Sequence, residues 1–292
     1  MADHRKSDNT PPIGLALWLL GGGRVPDRLN WLVANEFRGL ALLQSAMDID
    51  PVERSESAAI IKAEELTVTY HGNVHHKLTE SGDLDSDFSD RMIDDVIWWH
   101  EHTNGVASCC SDPINIPSNG EAPVFDSDLN RRHLERLAGR LGAYGIRVGI
   151  ENSFGGRGRF CSPDDISSFK AFCAETEFGL LLDAGHANIH VRSDAPHSGD
   201  ISTYVDDLPL DILEVHLCDN FGERDEHKQI GYGNLDIDGL FRSLRGKDFD
   251  GMLTLEVCLD ILSGKYSLNI SDTSQTDALL ISRDAVRSAW LL

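Results

Sequence analysis

Lysine is scarce in this chain. Only seven of its 26 basic residues are lysine, and they face 48 acidic ones. The formal net charge is −22, and no basic run stands against it. That balance argues against nucleic acid as a partner, because gripping a duplex takes several phosphate contacts from Lys or Arg. Long apolar runs are missing too. No window approaches the roughly 18 continuous apolar residues of a membrane span. The opening MADHRKSDNTPP is polar and charged, so residues 1–12 read as a disordered tail rather than a signal peptide. No C-x-x-C ribbon is present. The six cysteines are scattered apart from the pair Cys109-Cys110, and Cys109, Cys218 and Cys258 lie in or beside apolar runs. Buried free thiols in a reducing cytoplasm are the expectation. No Gly/Ser/Pro linker and no low-complexity segment divides the chain, so a single domain over 13–292 is expected.

Apolar residues make up 41% of the chain, enough for a large core. Eight short apolar runs recur along the chain: 13–19, 38–44, 65–71, 105–110, 146–151, 178–183, 211–216 and 251–257. Amphipathic segments lie between them. ERSESAAIIKAEE precedes the third run, SDFSDRMIDDVIWWHEH the fourth and SDLNRRHLERLAGRLGAYG the fifth. SPDDISSFKAFCAE, with its Ser-Pro-Asp-Asp start signal, follows the fifth. Strands that are apolar throughout and alternate with helices predict a parallel sheet covered by helices. Eight units of about 35 residues use up the chain and favour a closed (β/α)₈ TIM barrel. Segments 72–86 and 111–125 are polar and too long for plain connectors, so they read as rim loops.

The sharpest signal is positional. The fifth run ends on Glu151, the sixth on Asp183, the seventh on His216 and the eighth carries Glu256, at intervals of 32, 33 and 40 residues. In a barrel, side chains at the C-terminal ends of neighbouring strands converge on one mouth. Any one of these residues alone reads as a helix cap, a rim charge or a core histidine. Together they are three carboxylates and one imidazole, whose mutual repulsion a divalent cation would remove. Oxygen-rich ligation with one imidazole points to one divalent metal, with Mn²⁺ expected and Zn²⁺, Co²⁺ and Mg²⁺ as alternatives.

The pair Glu151-Asn152, Asp183-x-x-His186, the block HLCDN…RDEHKQIGYGNLDID and GMLTLEV together resemble the xylose-isomerase-like barrel superfamily. That group includes predicted sugar-phosphate isomerases and epimerases, ketose 3-epimerases, inosose dehydratase and isomerase, and the endonuclease IV repair enzymes. The resemblance implies that Glu151, Asp183, His216 and Glu256 hold the metal, and that Glu151 and Glu256 carry a proton on opposite faces of a sugar. His186, at the start of the following loop, would contact a substrate oxygen or a second metal. Asp225 and His227, in the loop after the seventh run, would order that loop, touch substrate or hold a further zinc. Gly231 and Gly233 would let the loop turn back. His71, in VTYHGN, matches a histidine of the nuclease branch. VASCCSDP, however, puts Cys109, Cys110 and Ser111 where that branch needs a second imidazole, and His75 and His76 are too far into the loop to replace it.

Several further residues have two readings. Arg224 and Lys228 flank the Asp225-x-His227 pair and would meet an anionic substrate group or stay solvated. Arg157 and Arg159 in GGRGR, and the turn LLGGGR, have the same ambiguity. Trp18 would pave the pocket or pack in the core. Trp98 and Trp99 read as core or as an interface of the homodimer or homotetramer that the resemblance implies.

The expected function is a metal-dependent isomerase or epimerase of a sugar, sugar phosphate or polyol-derived ketone, acting through an enediolate in the cytoplasm. The alternatives are an endonuclease IV-like zinc phosphodiesterase acting on DNA, an inosose-dehydratase-like lyase, and a non-catalytic barrel that keeps its metal for structure. Asp outnumbers Glu and Lys is rare, which reads either as a salt-adapted surface or as a merely acidic protein. On the first reading, melting temperature is expected to rise from dilute buffer to molar salt, and equal or greater stability in dilute buffer would count against that adaptation.

Overall fold

The computed structural model describes residues 10–21, 23–72, 78–116, 124–154, 160–193, 199–259, 268–269 and 273–292. Eight parallel strands close into a barrel. They are β1 Ile13–Ala16, β2 Gly39–Leu43, β3 Thr67–Gly72, β4 Val106–Ser111, β5 Arg147–Glu151, β6 Gly179–Asp183, β7 Ile212–Leu217 and β8 Met252–Leu255. Each pairs with the next in sequence, and β8 pairs back to β1. Both faces of these strands are covered, so β6 and β7 are buried at every residue and read as unbroken apolar runs.

The helices are α1 Val25–Ala34, α2 Pro51–Ala63, α3 Ser86–His102, α4 Ser127–Leu141, α5 Pro163–Phe172, α6 Ala184–Arg192, α7 Ile201–Asp206, α8 Ile237–Gly246 and α9 Thr273–Trp290. Aspartate starts most of them. The side chains of Asp50, Asp85, Asp126, Asp183, Asp200 and Asp236 accept backbone N–H groups of the first turns of α2, α3, α4, α6, α7 and α8. Ser162 and Asp165 form a capping box at α5. Each such cap is worth about 1 kcal/mol.

Three parts of the sequence reading are corrected. The run 13–19 is a strand only to Ala16; Leu17–Leu19 form a 3₁₀ turn, after which Leu20–Gly21 pairs with Leu268–Asn269 outside the barrel. Strand β8 stops at Leu255, so Glu256 stands one residue beyond it. Within the rim segment 111–125, Asn115–Ile116 and Val124–Phe125 form a small antiparallel ribbon. At the bottom of the barrel, the side chain of Met252 occupies the space left by Gly14 and Gly39.

All six cysteines are buried and none is in a disulfide, as expected. Trp99 is fully buried, so it is core and not an interface residue. Trp98 lies between the Arg54 guanidinium, 3.8 Å from its ring centre, and the stacked ring of His102. Among the described residues no helix is long and apolar enough to cross a membrane. The tail residues 1–9, Gly22, His75, His76, Arg157 and Arg159 lie outside the described residues.

His133 on α4 is buried, with Nε2 3.0 Å from the Ser111 hydroxyl oxygen. Burial, reinforced by Arg136, lowers its pKa from 6.5 to about 4. The unfolded chain takes this proton near pH 6.5 and the folded chain only near pH 4. The stabilisation is therefore complete above 6.5 and is lost as pH falls through that window, a loss on the order of 3 kcal/mol. His133→Gln is expected to move the acid-unfolding midpoint to lower pH, read by circular dichroism. An unchanged midpoint would show that His133 does not contribute.

Candidate active site

Four strands deliver the four anticipated side chains to the mouth. Glu151 ends β5, Asp183 ends β6, His216 is the penultimate residue of β7 and Glu256 follows β8 directly. Asp183 and His216 are register partners on adjacent strands. Ligand atoms of Asp183, His216 and Glu256 lie within 4.8 Å of one another, as do those of Glu151, Asp183 and His186, and those of His71, Glu151 and His216. Glu151 and Glu256 share no such group, and they come from the non-adjacent strands β5 and β8.

Asp183 has two roles on two oxygens. Oδ1 caps α6 by accepting the His186 N–H at 2.7 Å. Oδ2 is buried and has no hydrogen-bond partner among the described residues, with His186 Nδ1 at 3.9 Å. Asn152 clamps the same residue: the Asp183 N–H donates to Asn152 Oδ1 at 2.7 Å, and Asn152 Nδ2 donates to the Asp183 carbonyl at 3.0 Å. The Asn152 carbonyl also accepts from His186 Nδ1 at 2.8 Å. His186 is thus a helical residue in the first turn of α6 and not a loop residue, because Asp183 nucleates that turn.

The loop after β7 closes over this cluster. His227 Nδ1 contacts the Glu256 carbonyl at 2.7 Å, and its Nε2 faces Asp225 Oδ2 at 3.0 Å. His186 Nε2 faces the same Oδ2 at 3.5 Å. Since Nδ1 of each ring donates to a backbone carbonyl, the neutral form of each aims an Nε2 lone pair at Asp225. That arrangement suits either two imidazolium groups or a shared cation. His227 sits at φ +45°, an uncommon backbone region for a side-chain-bearing residue. Gly231 has φ +85° as anticipated. Gly233 is needed for a different reason: a Cβ there would collide with the Asn220 carbonyl and Asp219. Asp219 gathers the N–H groups of Gly231, Gly233 and Leu235 at 2.9, 2.9 and 3.0 Å.

A model of the family described as xylose isomerase-like TIM barrel matches residues 30–269. The chain belongs to that family. An uncharacterized protein of Methanocaldococcus jannaschii is 29% identical over 140 residues, spanning 48% of this chain and 45% of that protein; the match therefore covers less than half of the relative's length. Among solved structures, D-allulose 3-epimerase from Methylomonas sp. superposes with a TM-score of 0.71 at 15% identity, covering 96% of this chain and 98% of that one. L-ribulose 3-epimerase gives 0.68 at 16% identity, covering 97% and 95%. At these identities the likeness is one of fold.

This xylose isomerase-like barrel carries strongly displaced proton affinities. Burial raises Glu151 to about 7 even though His186 and His71 oppose it. Burial also raises Asp183. Burial disfavours the charged forms of His71 and Glu256, but their neighbours prevail. Asp112 and Glu151 lift His71 to about 9, and His216, with Nδ1 2.9 Å from Glu256 Oε2, lowers Glu256 to about 2. The residues fit a divalent ion. Carboxylate and imidazole ligand atoms converge, and among the described residues one buried carboxylate oxygen has no hydrogen-bond donor, a cost that proteins rarely leave uncompensated.

Sequence reasoning missed Asn152 as a clamp and Asp112, which meets His71 Nε2 at 2.8 Å. Trp18 lies over the cluster, with ring centres 5.8 Å from His71 and 6.2 Å from His216. Arg224 is exposed, and none of the contacts that tie the cluster together involves it. Lys228 pairs with Glu226 at 3.3 Å and lies over the Phe221 and Tyr232 rings.

A ligand-binding test follows from the two roles of Asp183. Asp183→Asn keeps a cap acceptor but loses the anionic oxygen. Saturating Mn²⁺ at 100-fold over Kd is expected to add about 2.7 kcal/mol to the wild type and to raise its melting temperature by several degrees. The shift is expected to vanish in Asp183→Asn. Equal shifts in both proteins would remove Asp183 from the ligand set.

Proposed function

We propose that this chain is a divalent-metal-dependent isomerase or epimerase of a sugar, sugar phosphate or polyol-derived ketone. The observation that carries the reading is the buried Asp183 side chain, which belongs both to the group with Glu151 and His186 and to the group with His216 and Glu256, and whose Oδ2 accepts no hydrogen bond among the described residues. The names of the structural neighbours, 3-epimerases of D-allulose and L-ribulose, point the same way.

When bound, the ion supplies Lewis acidity at a carbonyl oxygen, which makes the neighbouring C–H easier to deprotonate. The chain supplies the rest. Glu151 and Glu256 reach the site from non-adjacent strands, so two carboxylates are available to take a proton from one face of a bound sugar and return it from the other. The Nδ1–H groups of His186 and His227 are tied to backbone carbonyls, which fixes both rings as ligands for substrate oxygens or for a second cation. Trp18 offers an aromatic surface beside His71 and His216, of a kind that excludes water and packs against a sugar ring.

The phosphodiesterase reading is weaker on the charge balance and on the residue at the end of β4. Where a second imidazole would be needed, β4 ends in Ser111, engaged with His133, followed by Asp112, engaged with His71. Elemental analysis discriminates between the two: one divalent ion per chain is expected here, and two or three zinc ions would favour the phosphodiesterase.

The mechanism is tested by solvent deuterium exchange into a panel of ketoses, aldoses and inososes. Glu151→Gln and Glu256→Gln are each expected to cut exchange by about 10²–10⁴-fold while preserving the circular dichroism spectrum. Near-full activity in either variant on a turned-over substrate would refute the two-base scheme.

A further inference from the structure

The barrel lumen below the mouth holds a carboxyl group that none of the roles above uses. Glu214 on β7 is fully buried, two residues before His216. Its Oε1 accepts the hydroxyl of Thr69 at 2.9 Å and that of Thr254 at 2.5 Å. Thr69 lies on β3, which is not adjacent to β7, so the bond crosses the lumen. His216 Nε2 lies 3.4 Å from the same oxygen, close enough for an ion pair, but it makes no hydrogen bond among the described residues. An acid in the dry centre of a barrel is costly where an aliphatic side chain would pack without penalty, so its placement needs a reason.

The His216 ring supplies one. Its Nδ1 faces the mouth, 2.9 Å from Glu256 Oε2, and its Nε2 points down the lumen, where the ring is fully buried. A neutral imidazole carries one N–H. If the proton is on Nδ1, that nitrogen donates to Glu256 and cannot ligate a cation. If it is on Nε2, Nδ1 keeps its lone pair free, but only when the buried N–H has an acceptor. The geometry points to Glu214 as a positioning residue, the carboxyl that faces Nε2 in the lumen, that accepts the Nε2 proton of His216 when Nδ1 leaves Glu256 for a cation, and so selects the ring form able to bind a divalent ion at the mouth. Thr69 and Thr254 hold the acceptor oxygen in place for that role. This is the arrangement in which a carboxylate behind a histidine fixes its orientation and raises its donor strength. The inference rests on His216 being a metal ligand, as proposed above.

The test uses metal-stripped full-length protein, with Mn²⁺ affinity read by calorimetry and folding by thermal melting. Glu214→Met removes the acceptor, and the dissociation constant is expected to rise by about 10- to 100-fold. In the Zn²⁺-loaded wild type, nitrogen-15 spectra are expected to show one proton on His216, at Nε2. Glu214→Gln keeps an acceptor oxygen for both threonines and guards against a Glu214→Met variant that does not fold. With melting unchanged, it is still expected to bind Mn²⁺ several-fold more weakly, because the charge behind the ring is gone. A folded Glu214→Gln that binds within twofold of wild type, or a Zn²⁺-loaded His216 protonated on Nδ1, would overturn the role of Glu214 alone. Wild type that binds no divalent ion would overturn both this role and the metal site it serves.

Discussion

Among the described residues only one oxygen of Asp183 accepts a hydrogen bond, and much of the site follows from that. One oxygen must stay on the His186 N–H, or α6 loses its first turn and β6 its exit from the barrel. The other is buried and accepts no hydrogen bond among the described residues. Asn152 holds the Asp183 backbone on both sides, and the cap holds the side chain through Oδ1. One residue thus serves both the start of α6 and the acidic cluster at the mouth.

The imidazoles around it are governed by the same kind of constraint. Two of the three have one nitrogen hydrogen-bonded away from the centre. His186 and His227 use backbone carbonyls, whereas His216 Nε2 only faces the lumen carboxyl of Glu214, at 3.4 Å and without a hydrogen bond among the described residues. Ring orientation is therefore set by the scaffold before any ligand arrives, which is how a site gains affinity without ordering its side chains on binding. His71 differs. Both of its close acidic contacts, Asp112 and Glu151, are made through Nε2, and its Nδ1 is buried without a hydrogen bond. That asymmetry suits a residue that balances charge beside Glu151 better than one that ligates.

Much of this was legible in the linear sequence because the barrel repeats. Strands buried on both faces leave unbroken apolar runs, and α3 runs from Ser86 to His102 as anticipated because Asp85 marks its start. Glu151, Asp183, His216 and Glu256 were found because strand ends recur at nearly constant intervals. What stayed hidden depends on contacts across the barrel. The Asn152–Asp183, His71–Asp112 and Thr69–Glu214 pairs are separated by 31, 41 and 145 residues, and no local pattern encodes them. Gly233 was assigned a flexible turn when its real constraint is the oxygen of Asn220. His186 was placed in a loop because Ala-Gly after Asp183 reads as a turn until the cap is seen. Arg224 drew notice for its neighbours in sequence, yet on a loop anchored by Asp219 adjacent side chains point different ways, and its own is exposed.

The acidic composition also has more than one cause. Six helices begin on a capping aspartate, a position where glutamate reaches poorly and asparagine or serine would serve as well. On the outer surface, Arg136 and Arg140 of α4 pair with Asp90 and Asp94 of α3 across the groove between the helices. Arg140 also reaches Asp90, at 3.4 Å, through its other terminal nitrogen, a spread of contacts that a guanidinium serves better than a lysine ammonium. Part of the preference for Asp and Arg therefore follows from helix starts and helix packing and would persist in any solvent. Only the remainder, acids that neither cap a helix nor meet a cation, can report on the ionic medium in which the barrel works. Those charges would respond to salt by screening, whereas the caps, being short hydrogen bonds to the backbone, would respond far less.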